Sequence, residues 1–196
     1  MNTIPIVFAF DNNLAMPAAV CFYSLFANAH PKTIYNVYVL HRKNEELDLT
    51  YIDNVFEKYP QHHFKLIDVG DTFDSSFEIR GITTPAYYRL LIPELIPEYD
   101  KVIYSDVDVI FQQDLSELYL GTDLGEELIA GVNNVAHLDA DLRKHYEGTL
   151  NLNSTGVICS GFLIMNCSRI RKENLLRGLL NTQRTGINSK TRMFLT

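Results

Sequence analysis

Lys101-Val102-Ile103-Tyr104-Ser105-Asp106-Val107-Asp108-Val109-Ile110-Phe111 is an apolar run interrupted by a pair of carboxylates. Lys101 to Ser105 predicts a strand whose carboxyl end carries Asp106 and Asp108. Open α/β sheets place their ligands at that end of the strands. In an extended segment, residues i and i+2 face the same way, about 7 Å apart. Asp106 and Asp108 are therefore expected to point out of the sheet edge while Val107 packs inward. Val109-Ile110-Phe111 is expected to resume extended structure. An Asp-x-Asp triplet alone is common in solvated turns. The apolar segments on both sides set this one apart, because carboxylates between buried segments are costly unless something binds them. Two hard carboxylate oxygens facing one point suit Mn²⁺ or Mg²⁺, and such a cation can bridge to a diphosphate.

Upstream, Ile4 to Phe10 is almost continuously apolar and ends at Asp11-Asn12-Asn13. That pattern predicts a strand buried on both faces of a parallel sheet. Leu14 to Ala29 has helical spacing through Val20, Phe22, Leu25 and Phe26, with Pro17 in the first turn. Asn36 to Leu40 predicts a second strand, Glu45 to Tyr59 a second helix, and His63 to Val69 a third strand. Alternating strands and helices imply right-handed crossovers and a doubly wound sheet. Downstream, Thr84 to Leu91 reads as helix, and Leu128 to Val132 and Val157 to Met165 as strands. Ser168 is expected to cap a final helix reaching about Leu180. The organisation is one domain over residues 1–181 followed by an irregular tail, 182–196.

The 196 residues are 46% hydrophobic and 21% charged, ordinary for a globular chain that builds its own core. A net charge of −7 and the absence of a Lys/Arg cluster argue against nucleic acid and anionic lipid as partners. Cys21, Cys159 and Cys167 lie in apolar stretches without a CxxC pair, which reads as buried thiols in a reducing compartment. The first apolar run is short, lacks a basic lead and meets Asp11 directly, unlike a signal peptide. No stretch approaches a membrane span. These features predict a cytoplasmic protein.

Three segments in order resemble the retaining glycosyltransferases of family 8, the bacterial lipopolysaccharide galactosyltransferase and glycogenin type. They are Ile6 to Asn13; Tyr87-Tyr88-Arg89-Leu90-Leu91-Ile92-Pro93 leading to Lys101 through Ile110; and Ser160-Gly161-Phe162-Leu163-Ile164-Met165-Asn166. The resemblance spans residue 4 to about residue 175. It implies a GT-A fold, a Rossmann-like α/β domain with a mostly parallel sheet flanked by helices. It also implies a UDP-sugar donor, Mn²⁺ (or Mg²⁺), retention of anomeric configuration, and a glycan or glycolipid acceptor. Ala9, Asp11 and Asn12 fall where the family contacts uridine, and Arg89 where it contacts the nucleotide sugar. Asp106 and Asp108 fall at the metal ligands, with Val107 between them. Asn134 and Cys159 fall near the donor sugar. Each has a plainer role too. Asp11 and Asn12 suit a strand end and helix cap, Arg89 a surface ion pair, and Asn133-Asn134 a turn.

The sequence departs from the family in two places. Cys159 stands where the family usually has Asn, and a thiol orients a sugar hydroxyl poorly. The family also continues with an Asp-Gln-Asp type segment and a His-x-x-Gly-x-x-Lys-Pro-Trp type segment. Neither occurs before Thr196, and the chain has no Trp. The expected function is hexose transfer from UDP-glucose or UDP-galactose. The alternative is a catalytically impaired UDP-sugar-binding module, with any membrane contact left to the missing C-terminal region. A nucleotidyltransferase fits less well, because Gly70, Gly81 and Gly121 stand alone rather than in a phosphate loop.

Overall fold

Residues that are apolar on both faces of a strand need cover on both sides, and that requirement organises the chain. A computed structural model describes residues 1–42, 44, 46–70, 85–134, 139–149 and 157–175. The strands are β1 (Asn2–Ala9), β2 (Thr33–His41), β3 (His63–Asp68), β4 (Lys101–Ser105), β5 (Ile129–Asn133) and β6 (Ile158–Asn166). They form one sheet in the order β3-β2-β1-β4-β6-β5. The neighbours from β3 through β4 pair in parallel, while β6 runs antiparallel to both β4 and β5.

Helices α1 (Ala15–Ala27) and α2 (Thr50–Lys58) cover one face. There Ile4, Ile6, Phe8 and Phe10 pack with Phe22, Leu25, Phe26, Ile52 and Val55. The other face receives α3 (Pro85–Tyr88), a 3-10 turn (Arg89–Leu91) and α4 (Ile92–Leu95). Val7 and Ala9 there join Tyr88, Leu91, Ile92 and Tyr104. Helix α5 (Ser116–Gly121) follows β4, and α6 (Ala140–Lys144) runs into a π-helical turn, His145–Thr149. Helix α7 (Cys167–Lys172) follows β6 and adds Cys167 and Ile170 to the second face. No described helix is long and apolar enough to cross a membrane.

The doubly wound arrangement agrees with the sequence reading, and several local expectations change. Val20 is 51% exposed and lies off the buried stripe of α1. Helix α2 begins at Thr50, where the Asp48 side chain accepts the Thr50 N–H at 2.9 Å, later than the Glu45 expected. Val109, Ile110 and Phe111 do not form a paired strand. Their backbone is satisfied from α1 instead. The Phe111 N–H donates to Ser24 Oγ at 3.0 Å, and Asn28 Nδ2 donates to the Phe111 carbonyl at 3.0 Å. Asn166, not Ser168, caps α7, because its Oδ1 accepts the Arg169 N–H at 3.1 Å. Cys21 and Cys167 are buried as expected, but Cys159 is exposed. The last helix ends at Lys172, short of the Leu180 expected, because the chain turns at Glu173 and Asn174, the latter at a φ of 52°; residues 176–180 and the tail 182–196 lie outside the described residues.

One buried imidazole links this packing to pH. His62 is 4% exposed and stacks on Phe26 at 4.2 Å between centroids. Its Nδ1 accepts the Tyr35 N–H at 3.0 Å, which requires a ring unprotonated at that nitrogen. Burial, helped by the neighbouring His63, pulls its pKa down from 6.5 to about 4. The unfolded chain therefore binds more protons between those values, and stability present above pH 6.5 is lost as pH falls toward 4. Urea midpoints at pH 7 and pH 5 should fall less in His62→Gln than in the parent. Equal declines would contradict this assignment.

Candidate active site

The strand order reverses between β1 and β4. Helices α1 and α2 lie on one face, and α3 and α4 lie on the other. Such a switch point leaves a crevice outside the carboxyl ends of the two strands. Ala9, Asp11 and Asn12 stand at that end of β1, and Asp106 and Asp108 at that end of β4. Because β5 runs parallel to β4, its carboxyl end shares the edge, and so does the amino end of antiparallel β6. Asn134 and Cys159 therefore lie on the same edge of the sheet. The Asn134 N–H donates to the Val157 carbonyl at 2.8 Å, tying the end of β5 to the start of β6.

Asp106 is the most constrained member. Its N–H donates to the Gly161 carbonyl at 2.8 Å, continuing the β4–β6 ladder past Ser105. Its Oδ1 accepts the Tyr104 hydroxyl at 2.7 Å and faces Arg89 Nη2 at 3.6 Å. Arg89 is buried, donates from Nη1 to the Ser160 carbonyl, and lies 4.5 Å from the Tyr104 ring centroid. Arg89 is thus not the surface ion pair of the plainer reading. It joins the 3-10 turn, β4 and β6 around one carboxylate. Burial drives the Tyr104 hydroxyl well above its usual pKa, so it stays a protonated donor.

Asp108 is exposed, and Val107 between the two is buried among the residues facing α1. Val107 packs inward as expected, but the backbone bends at Val107 and Asp108 instead of continuing extended. The spacing of an extended i, i+2 pair therefore does not apply. The bend follows from the anchoring of Phe111 to Ser24 and Asn28, which draws the chain toward α1. Burial pushes the Cys21 thiol on α1 up to about 12, and the Asp108 charge adds to that rise. Asp106 and Asp108 thus supply hard oxygen donors with open access at a strand end, which fits a small divalent cation.

The remaining positions have local roles. Asp11 caps the 3-10 turn Asn12–Leu14, its Oδ1 accepting the Asn13 N–H at 2.9 Å. Asn12 Oδ1 accepts the Asp48 N–H at 2.7 Å, tying the end of β1 to the approach to α2. The capping role expected for this pair is present in Asp11 alone, and it serves the 3-10 turn, since α1 has Leu14 at its N-cap with no side-chain hydrogen bond. Ala9 is buried at the end of β1.

Comparison with known proteins bears on family and fold. The family profile described as glycosyl transferase family 8 matches residues 5–195. The chain belongs to glycosyl transferase family 8. A Haemophilus influenzae (strain Rd) protein described as a glycosyltransferase is 28% identical over 181 residues, 92% of this chain and 53% of that protein. The chain therefore spans about half the length of that curated relative. The WbbM bifunctional glycosyltransferase superposes with a TM-score of 0.76 at 26% identity, covering 92% of this chain and 34% of that one. The galactosyltransferase LgtC, solved with donor and acceptor sugar analogues, gives 0.72 at 24% identity over 94% of this chain and 66% of that one. The fold of this family 8 chain is GT-A.

Two residues escaped the sequence reading of the family 8 site. Tyr104 reads from sequence as a strand residue, although the alternation that pairs i with i+2 puts it on the face of Asp106. Gly161 carries no site signal beyond its motif, yet a Cβ there would lie 2.8 Å from Asp106 Oδ2. Arg89→Met should lower unfolding stability by about 1–3 kcal/mol, because it leaves the Ser160 carbonyl without its charged donor. Urea denaturation checks this, and a loss under about 0.5 kcal/mol would show the buried guanidinium to be dispensable.

Proposed function

We propose that this chain is the donor-binding part of a metal-dependent, retaining hexosyltransferase that uses a UDP-hexose. Glucose and galactose are the candidate sugars, and the acceptor is a hydroxyl of a glycan or glycolipid. The observation that carries the reading is the Asp106–Asp108 pair at the β1–β4 switch point, with Asp106 clamped by Tyr104 and Arg89. Family membership supports the nucleotide-sugar donor, and LgtC, described with donor and acceptor sugar analogues, supports a sugar acceptor. Retention rests on the family 8 resemblance.

In this reading Asp106 and Asp108 hold Mn²⁺ or Mg²⁺, which when bound offsets charge on the departing diphosphate. Asp11 and Asn12 border the uridine, with the Asp11 cap and the Asn12 bond to Asp48 fixing the end of β1. Arg89 braces Asp106 and the Ser160 carbonyl, which keeps β4 and β6 in register beside the donor. Asn134 and Cys159 border the sugar. The protein's contribution is positioning and electrostatic preorganisation.

A second reading has one specific observation in its favour. Cys159 is an exposed thiol at this edge, at a position where an amide would serve a sugar hydroxyl better. It makes the chain a UDP-sugar-binding module with weak or no turnover.

Calorimetric titration of UDP with and without Mn²⁺ tests the shared core of both readings. Mn²⁺ should tighten UDP binding at least about tenfold, worth roughly 1.4 kcal/mol, and Asp106→Ala/Asp108→Ala should abolish that gain. Binding indifferent to Mn²⁺, or to the double substitution, would refute the proposal. Release of UDP from UDP-glucose or UDP-galactose then separates the two readings, since turnover excludes the impaired module.

A further inference from the structure

We propose that Tyr104 is a positioning residue that makes Asp106 a one-oxygen ligand and thereby biases the site toward Mn²⁺ and Mg²⁺ over Ca²⁺. This inference rests on the reading of Asp106 and Asp108 as a cation site. Both side-chain partners described for Asp106 meet the same oxygen. The Tyr104 hydroxyl donates to Oδ1 at 2.7 Å, and Arg89 Nη2 stands 3.6 Å from it. Tyr104 is fully buried, so its hydroxyl has little freedom to leave. Its ring is held at 4.5 Å by the guanidinium that also binds the Ser160 carbonyl.

The other oxygen is placed by a missing side chain. Asp106 is fixed at its backbone through the Gly161 carbonyl, and Oδ2 lies where a Cβ on Gly161 would intrude, at 2.8 Å. The carboxylate thus has one oxygen committed to a phenol and the other leaning over a glycine. Mg²⁺ demands near-ideal octahedral geometry, whereas Ca²⁺ accepts two oxygens of one carboxylate at longer distances. A phenol on Oδ1 opposes the two-oxygen mode. Removing only the hydroxyl restores that mode and leaves the ring packing in place.

The test is UDP calorimetry with Mn²⁺, Mg²⁺ and Ca²⁺ in turn, on the parent chain, Tyr104→Phe and Gly161→Ala, with circular dichroism and urea unfolding on each. In folded Tyr104→Phe the ratio of affinities supported by Mn²⁺ and by Ca²⁺ should narrow about tenfold or more, roughly the lower end of the worth of one hydrogen bond to a charged group. A purely structural role for Tyr104 would weaken binding with every cation alike and leave that ratio unchanged. An unchanged ratio overturns the inference. If Asp106→Ala/Asp108→Ala still abolishes the cation effect, the cation site itself survives. Should Tyr104→Phe fail to fold, Gly161→Ala decides. It displaces Oδ2 and should cost about tenfold in cation-supported UDP affinity, and an unchanged affinity overturns the inference. A parent chain indifferent to all three cations overturns both this inference and the reading beneath it.

Discussion

Parallel pairing of β1 with β4, through Ile6 with Ile103 and Val7 with Tyr104, is the constraint on which the site depends. Both strands are buried on both faces, so neither can shift without exposing one apolar set. The connections leaving them cover opposite faces of the sheet. Among the described residues, their carboxyl ends therefore meet at the switch point where a crevice is expected. Asp11 and Asn12 on one lip, and Asp106 and Asp108 on the other, follow from that pairing.

A crevice at a strand end exposes backbone, and this chain satisfies that backbone from neighbouring elements. Ser24 Oγ donates to the Cys21 carbonyl at 2.7 Å and accepts the Phe111 N–H, so α1 holds the segment after Asp108. Farther on, Asp114 accepts from the His30 N–H at 3.0 Å and the Tyr35 hydroxyl at 2.9 Å. The Ser116 N–H also donates to this carboxylate, at 2.9 Å. Burial opposes ionisation of Asp114, but the hydrogen bonds from Ser116, His30 and Tyr35 outweigh it and hold its pKa below the usual range. The loop bearing the acidic pair is thus anchored at both ends, β4 on one side and Asp114 on the other. Anchoring of this kind fixes the path of the segment that carries both carboxylates.

The sequence made the frame legible because the frame is governed by burial. Ile4 to Phe10 and Lys101 to Ser105 announce themselves as two-sided strands, and Phe22, Leu25 and Phe26 as a buried helix face. The acidic pair was legible for the opposite reason, since two carboxylates stood inside an apolar stretch. What sequence could not supply were relations between distant residues. The bend at Val107 and Asp108 arises from Ser24 and Asn28 on another element, so local alternation suggested a strand. Val20 satisfies helical spacing yet faces outward, because α1 sits against the sheet with Phe22, Leu25 and Phe26. Ser168 and Asn166 are both competent caps, and only the path of the chain out of β6 selects Asn166. Cys159 has apolar neighbours but stands near the start of β6, where the strand emerges at the site. Arg89 beneath Tyr104 is a contact between segments that no spacing rule connects.

Crystals of the chain grown or soaked with UDP and Mn²⁺ offer the most direct measurement, read from an anomalous difference map. One strong anomalous peak should bridge Asp106 and Asp108 to the diphosphate in the crevice between β1 and β4. Asp106 should meet it through Oδ2, with Oδ1 still bonded to Tyr104. UDP bound in that crevice with no peak at the acidic pair, or a peak held by other residues, would contradict the account.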